Sequence, residues 1–257
     1  MARYTQLNQQ EIQKIASNYQ LEVAEFEPMD GGNGNSSYLM KTEERTYVLT
    51  VCDDKVFAEV FNMGQLLLLL EDHDVPCTRL ISLVNGDILT THIDKPVILK
   101  AYIEGEVHES LNETMLSQVG IQVARLNQIT PPAYLPTNHP YGRQQFTKVI
   151  GVNIDEEYES WLAHEIHYFE HNLSDNLPKG LIHGDLFYDN LLFENAKFKA
   201  IIDFEEACYY YNVFELGMAI VGTCIDDTSI NFDKARALVK GYQCVTSAHM
   251  APNDLIH

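Results

Sequence analysis

Three side chains that could act together in chemistry, Asp185, Asn190 and Asp203, occur in one short stretch, Leu181–Phe204, which reads LIHGDLFYDNLLFENAKFKAIIDF. Asp185 follows a His-Gly pair, Asn190 comes five positions later, and Asp203 follows an apolar run. Phosphoryl transfer to a hydroxyl needs a carboxylate that orients the hydroxyl and takes its proton, and oxygen ligands that hold Mg²⁺ against the nucleotide phosphates. Asp185 is therefore the candidate base, and Asn190 and Asp203 are the candidate metal ligands.

A predicted hairpin positions these groups. LLF runs out, ENAK turns and FKAIID runs back, so Asn190 and Asp203 stand at its two ends. We expect both side chains to face one point. A single Asp or Asn in a loop is most often a cap or turn residue, but the combined pattern favours a site for ATP and Mg²⁺.

A glycine-rich segment, Gly31–Ser37 with the sequence GGNGNSS, lies between two predicted strands. Glycines allow backbone N–H groups to approach phosphate oxygens closely. The spacing is neither a Walker motif nor a dinucleotide fingerprint. From the residues alone, a phosphate cover and an ordinary hairpin turn both remain open.

The elements that must position these residues change in character along the chain. Phe26–Val51 predicts two or three antiparallel strands. Val75–Ile103 alternates short strand signals around Asn85-Gly86, a dipeptide typical of type I′ hairpin turns. Between them, Val56–Glu71 has apolar residues at helical spacing. These patterns predict a β-rich N-terminal lobe of five strands.

Beyond Asn112 the apolar residues recur mainly at helical spacing, apart from the strand-rich stretch at Leu181–Phe204. Pro131–Tyr141 holds four prolines and is predicted to be an ordered loop. The fold class is therefore α+β, with a small β-rich lobe over residues 1–103 and a larger helical lobe over residues 104–257. The AYIEGE segment marks the boundary.

Composition excludes several classes of protein. The 37 acidic and 17 basic residues give a formal charge of -20, which repels nucleic acid and anionic lipid and attracts cations. The longest apolar run is too short to cross a bilayer. The N-terminus has no signal-peptide core, so we expect a cytoplasmic protein. Five widely spread cysteines without a CxxC pair predict buried free thiols rather than disulfides or a zinc site.

HGDLFYDN followed by IIDFEEA resembles the catalytic and metal-binding motifs of the aminoglycoside phosphotransferase and choline kinase superfamily, which has a protein-kinase-like two-lobed fold. LPKGLIHGDLFYDNLLF, IIDFEEACYYY and ALVKGYQ are most similar to the type II homoserine kinases. The resemblance implies that Asp185 is the base, that Asn190 and Asp203 bind Mg²⁺, and that His183 supports the loop.

The same resemblance implies where ATP binds. The glycine-rich loop would cover the phosphates, and the backbone of Ala101–Ile103 would bond adenine. The nucleotide contacts expected on this basis are Gly31, Gly32, Asn35, Ser36, Ser37, Ala101 and Ile103. Thr50 stands where most kinases of this fold have a phosphate-binding lysine, a replacement often found in type II homoserine kinases. Glu59, on the next helix, would be the usual partner of that lysine.

The expected reaction is phosphorylation of a small amino alcohol by ATP. Homoserine is the leading acceptor, with choline, ethanolamine or an aminoglycoside as alternatives. Glu205 and Glu206 are candidates for a second metal contact or for the substrate amine, and equally for surface charge. A rival interpretation, favoured by Thr50, is a nucleotide-binding regulatory protein that has lost catalysis. The presence of Asp185, Asn190 and Asp203 together argues against it.

Overall fold

A computed structural model describes residues 5–29, 34–172, 174 and 176–246. The chain forms two compact units, one of residues 1–105 with 199–202 and the other of residues 106–198 with 203–257. The first unit is built on a five-stranded antiparallel sheet and the second is mainly helical, which confirms the predicted α+β, kinase-like fold class.

The first unit contains two helices and five strands. In chain order they are α1 Gln9–Ser17, β1 Glu25–Pro28, β2 Asn35–Lys41, β3 Thr46–Cys52, α2 Phe57–Asp72, β4 Thr90–His92 and β5 Lys95–Ala101. The sheet order is β1-β2-β3-β5-β4, with antiparallel neighbours throughout. Successive side chains along each strand point to opposite faces of this sheet, and burial alternates along β2.

One face of the sheet packs against α1. Asn8 begins this helix with a capping box. Its side chain accepts the N–H groups of Gln10 and Glu11, and the Glu11 carboxylate accepts the N–H of Asn8. The buried side of the helix carries Ile12 and Ile15. These join the inward-facing residues of β2, β3 and β5 in one core: Tyr38, Met40, Tyr47, Leu49, Val51, Val97 and Leu99.

The turn that joins β4 and β5 lies at a different position from Asn85-Gly86, where the sequence predicted a hairpin turn. β4 and β5 are joined at Ile93 and Asp94, with φ of 47° and 61°, and the flanking pair is His92 with Lys95. Asn85-Gly86 does form a turn, but the segments around it are not strands. The hairpin prediction was wrong because a β-branched residue such as Ile93 seldom adopts positive φ, so its sequence gave no turn signal.

Beyond residue 105 the chain contains five helices and six short strands in the described ranges. They are α3 Glu113–Asn127, α4 Arg143–Phe146, α5 Glu156–Asn172, β6 Lys179–Ile182, β7 Leu191–Glu194, β8 Lys197–Ile201, β9 Cys208–Tyr211, α6 Asn212–Thr223, β10 Ile225–Asp226, β11 Ser229–Ile230 and α7 Phe232–Gln243. The strands pair as β6-β9, β7-β8 and β10-β11. Strands β9 to β11 lie where the sequence predicted helix.

The proline-rich segment from residue 131 to 141 is irregular, as predicted. Four cysteines, Cys52, Cys77, Cys208 and Cys224, are buried free thiols, whereas Cys244 is exposed, contrary to expectation. Throughout the described ranges, every helix is too short or too polar to span a membrane.

Helices α3 and α7 cross at two glycines. A Cβ on Gly120 would lie 2.0 Å from the carbonyl oxygen of Leu238, and one on Gly241 would lie 2.0 Å from that of Ser117. The two backbones therefore touch, and no side chain fits between them.

We expect Gly241→Ala to lower the free energy of unfolding by about 1–3 kcal/mol, the usual cost of overpacking a tight contact. Urea denaturation followed by circular dichroism measures it. Gly217→Ala is the matched control, because a Cβ there meets no atom within 4 Å. Equal stability of the two variants would contradict this description of the crossing.

Candidate active site

The predicted base and one predicted metal ligand are hydrogen-bonded to each other. Asn190 Nδ2 donates to the backbone oxygen of Asp185 at 2.8 Å and to its Oδ2 at 3.2 Å. A tight turn between them holds this geometry, since Phe187 N–H donates to Asp185 O and Asn190 N–H to Phe187 O. The amide oxygen of Asn190, the atom with which an asparagine binds Mg²⁺, is not used in these bonds.

Asp203 lies in a segment that packs on this loop. It is exposed and has φ of 64°, a left-handed conformation that a non-glycine residue adopts at a cost. The ring of the next residue, Phe204, meets that of His183 edge-on with centroids 4.7 Å apart. Asp203 therefore directly precedes a residue, Phe204, that contacts the loop carrying Asp185 and Asn190.

His183 supports the loop from within. It is fully buried, and its Nδ1 accepts the backbone N–H of Asp185 at 3.2 Å. This bond fixes the chain direction at the position of the candidate base.

A buried carboxylate organises the start of the loop. Glu215, in the first turn of α6, is fully buried, and its two oxygens accept the N–H groups of His183 at 2.7 Å and Gly184 at 3.0 Å. Burial raises the pKa of Glu215, while His183 and these two backbone bonds act in the opposite direction. A carboxylate this deep is expensive unless it is bonded in this way.

A histidine from the proline-rich loop binds the other backbone group of Gly184, its carbonyl. His139 is fully buried; its Nε2 donates to the Gly184 carbonyl at 2.8 Å, and its Nδ1 accepts the N–H of Tyr141 at 3.1 Å. These partners require the neutral imidazole. Burial lowers the pKa of His139, against the opposing effects of the Gly184 carbonyl and Asp185.

Glycine is the only residue type that fits at position 184, between His139 and the backbone of Glu206. Its φ is +85°, and a Cβ would lie 2.7 Å from His139 Nε2 and 2.7 Å from the Glu206 carbonyl oxygen. The glycine before the candidate base is thus required both by backbone conformation and by space.

The glycine-rich segment is only partly described. Gly31 and Gly32 lie outside the described residues, and Asn35, Ser36 and Ser37 begin β2. Because strand residues alternate, Ser36 and Ser37 face opposite sides of the sheet. Ser37 Oγ lies 3.2 Å from Thr50 Oγ1, whereas the Ser36 hydroxyl points toward the α1 side.

The Ser36 hydroxyl belongs to an ion-pair cluster. It accepts the N–H of Thr5 at 2.8 Å and donates to Asp53 Oδ2, while Lys95 Nζ donates to Asp53 Oδ1 at 2.5 Å. Burial would raise the pKa of Asp53, but the bonds from Lys95, Ser36 and Thr5 outweigh it and lower that pKa. The N–H of Asp53 also donates to the Gly34 carbonyl. The cluster therefore fixes the described end of the glycine-rich segment.

Ala101, Ile103, Thr50 and Glu59 also received predicted roles from the sequence. Ala101 N–H already donates to Arg79 O at 2.9 Å, and Ile103 is half-buried beyond β5. Thr50 is buried in β3, and Glu59 caps α2 by accepting the N–H of Val56 at 2.9 Å. Glu59 thus has a structural role that needs no lysine partner.

The second unit also encloses an aromatic cavity of about 370 Å³. Its walls are almost entirely apolar and come from α4, α5, β9, α6 and the segments before α4 and β6: Tyr141, Phe146, Phe169, Leu177, Tyr210, Tyr211, Val213, Phe214, Gly217, Met218 and Val221. Phe214 also packs on the His139 ring, with centroids 4.8 Å apart. Two residues of β9, Tyr210 and Tyr211, therefore line this cavity.

Sequence reasoning missed the two residues that hold the loop. Glu215 had a usable signal, because an acidic residue inside the apolar stretch VFELGMAIVG must be buried and bonded. His139 had none, since it lies in an irregular segment far along the chain from Gly184. Glu205 and Glu206, the other predicted acidic candidates, are half-buried in the turn that follows Phe204.

Known proteins match this chain over most of its length. Residues 25–245 match the model of the family described as "Phosphotransferase enzyme family". Homoserine kinase of Caulobacter vibrioides is 29% identical, over 95% of this chain and 80% of its own length. Homoserine kinase of Mesorhizobium japonicum is 28% identical, over 95% of this chain and 79% of its own.

Solved structures share the fold at lower identity. A microcompartment-associated aminopropanol kinase superposes with a TM-score of 0.71 at 19% identity, covering 95% of this chain and 82% of that one. Spectinomycin phosphotransferase in complex with ADP and spectinomycin gives 0.70 at 14% identity, covering 96% and 82%. The fold therefore occurs in proteins that act on quite different acceptors.

We expect Glu215→Gln to lower the free energy of unfolding by about 1–3 kcal/mol, because the amide NH₂ faces a backbone N–H and leaves it without an acceptor. Thermal and urea denaturation measure the change. Glu170→Gln, on an exposed residue of α5, is the matched control. A Glu215→Gln protein as stable as this control would show that the two bonds do not hold the loop.

Proposed function

Because this chain belongs to the phosphotransferase enzyme family, we propose that it transfers the terminal phosphoryl group of ATP to the hydroxyl of a small amino alcohol, homoserine above all. The observation that carries the proposal is the direct bonding of Asn190 to Asp185. It joins a proton acceptor and a metal-binding amide in one loop, as transfer of phosphate to a hydroxyl requires.

In the proposed reaction, the Asp185 carboxylate orients the acceptor hydroxyl and takes its proton. The hydroxyl oxygen bonds to the terminal phosphorus as the bond from that phosphorus to the bridging oxygen breaks, and ADP leaves with the electron pair. General base catalysis of this kind commonly contributes about 10²–10⁴ in rate.

The donor set fits magnesium. Asn190 and Asp203 offer oxygen atoms, and Mg²⁺ is usually held by one or two protein ligands together with phosphates and waters. When bound, the ion neutralises charge on the nucleotide phosphates. Asp203 is exposed, so its carboxylate is accessible to such an ion.

Glu215 and His139 are positioning residues in this proposal. Glu215 accepts the N–H of Gly184 and His139 donates to its carbonyl, so both backbone groups of the residue before Asp185 are held. A base held in this way reaches its productive geometry at a low entropic cost.

Homoserine is preferred among acceptors because the matched full-length relatives are named homoserine kinases at 27–29% identity. Thr50 in place of the usual lysine agrees with that branch of the family. Choline, ethanolamine and aminoglycosides remain the competing acceptors, and aminopropanol joins them because a structural relative is named an aminopropanol kinase. A regulatory protein without catalysis is the competing class.

We expect Asp185→Asn to lower kcat by about 10²–10⁴, because the amide cannot take the hydroxyl proton. Acceptor-dependent ADP release measures kcat, and ATP binding measured by calorimetry should persist. Asp189→Asn, an exposed aspartate four residues along the same loop, is the matched control. Equal loss in both variants would remove Asp185 from the reaction.

We expect L-homoserine to give the highest kcat/KM in a panel with choline, ethanolamine, 1-amino-2-propanol and an aminoglycoside. The readout is ADP release with ATP and Mg²⁺, confirmed by mass detection of the phosphomonoester. A better turnover of another amine would keep the phosphotransferase reaction and overturn the choice of acceptor. If none of these acceptors stimulates ADP release, the regulatory interpretation is favoured.

A further inference from the structure

Two exposed histidines lie one turn apart near the end of α5. His167 and His171 have ring centroids 4.0 Å apart, with their planes inclined at 48°. Residues four apart share a helix face, and a histidine pair at this spacing is an arrangement through which helices bind zinc. We propose that His167 and His171 form a binding site for a transition-metal dication such as Zn²⁺.

The hydrogen bonding of His171 supports this proposal. Its Nδ1 lies 2.8 Å from the backbone oxygen of His167. A carbonyl oxygen only accepts, so Nδ1 carries the proton and Nε2 has the free lone pair. Histidines that bind metals usually donate their other ring N–H to a carbonyl or carboxylate in this manner. Nε2 of His171 is therefore the nitrogen that would bind the metal.

The chemistry of the pair selects the ion. Imidazole nitrogen suits Zn²⁺, Cu²⁺ and Ni²⁺, whereas Mg²⁺ requires oxygen ligands, so this site and the Asp203 and Asn190 pair take different metals. Over the described ranges, no group of three or more His, Cys, Asp or Glu side chains is arranged to hold a metal. Water would thus complete the coordination of an ion held by two histidines. The formal charge of -20 raises the local concentration of dications.

Other groups on α5 do not replace either ligand. His164, one turn earlier, has Nδ1 3.5 Å from Glu165 Oε1 and is paired with that carboxylate. Phe169, between the two ligands in sequence, lines the aromatic cavity. A metal that bridges His167 and His171 would therefore fix the turn of α5 that presents Phe169.

The test is a calorimetric titration of the full chain with ZnCl₂ in excess Mg²⁺, which saturates oxygen-ligand sites. The parent protein carries Cys244→Ser, because the exposed Cys244 thiol would also bind zinc. We expect His167→Gln and His171→Gln each to weaken Zn²⁺ binding by about tenfold or more, since even changes outside the ligand shell cost 10- to 100-fold. His73→Gln, at an exposed histidine after α2, should leave the affinity unchanged.

Two results would overturn the site. One is a Zn²⁺ affinity that stays the same in the double variant His167→Gln/His171→Gln, and the other is full displacement of Zn²⁺ by Mg²⁺. Glutamine is a good helix former, so circular dichroism should show unchanged helix content in every variant. A loss of helix would be answered by the single variants, of which either one removes the chelate. Kinase turnover is measured separately, so failure of this site leaves the phosphotransferase proposal intact.

Discussion

The backbone of Gly184 is held at both its N–H and its carbonyl, and the arrangement of the loop that carries Asp185 and Asn190 depends on it. Glu215 accepts its N–H and His139 donates to its carbonyl, both from fully buried positions. Burying a carboxylate or an imidazole costs free energy, and here the hydrogen bonds to backbone groups offset that cost. The loop that carries Asp185 is thus positioned by α6 and by an irregular segment together.

The first unit solves a comparable problem at the glycine-rich segment with an ion pair. Asp53 joins Lys95, Ser36 and Thr5, which ties the starts of β2 and β5 to the end of β3 and to the chain before α1. The charged residues of this cluster, Asp53 and Lys95, lie at strand ends next to the glycine-rich segment. The position usually taken by a kinase lysine is occupied instead by Thr50, a buried neutral residue. The two positions have different roles, so Lys95 is no replacement for the lysine.

Much of the fold could be predicted because periodicity reports directly on burial. Alternation and helical spacing identified the five-stranded sheet, α2, α3 and α5, and the spacing in HGDLFYDN brought Asp185 and Asn190 together. The rest depended on contacts that no local pattern encodes. Ile93 turns a hairpin against its own preference, and His139 reaches Gly184 across 45 positions of sequence. Such contacts are chosen by tertiary packing, which overrides local propensity.

The unequal burial of the cysteines gives the protein a chemical asymmetry. Burial raises the pKa of Cys77 to about 11 and that of Cys208 to about 12, and it raises that of Cys224 as well, so these thiols are poor nucleophiles. Cys244, at the end of α7, is open to solvent. A maleimide dye or spin label would therefore attach at one defined point, next to the helix that crosses α3, and report on that crossing without altering the loop chemistry.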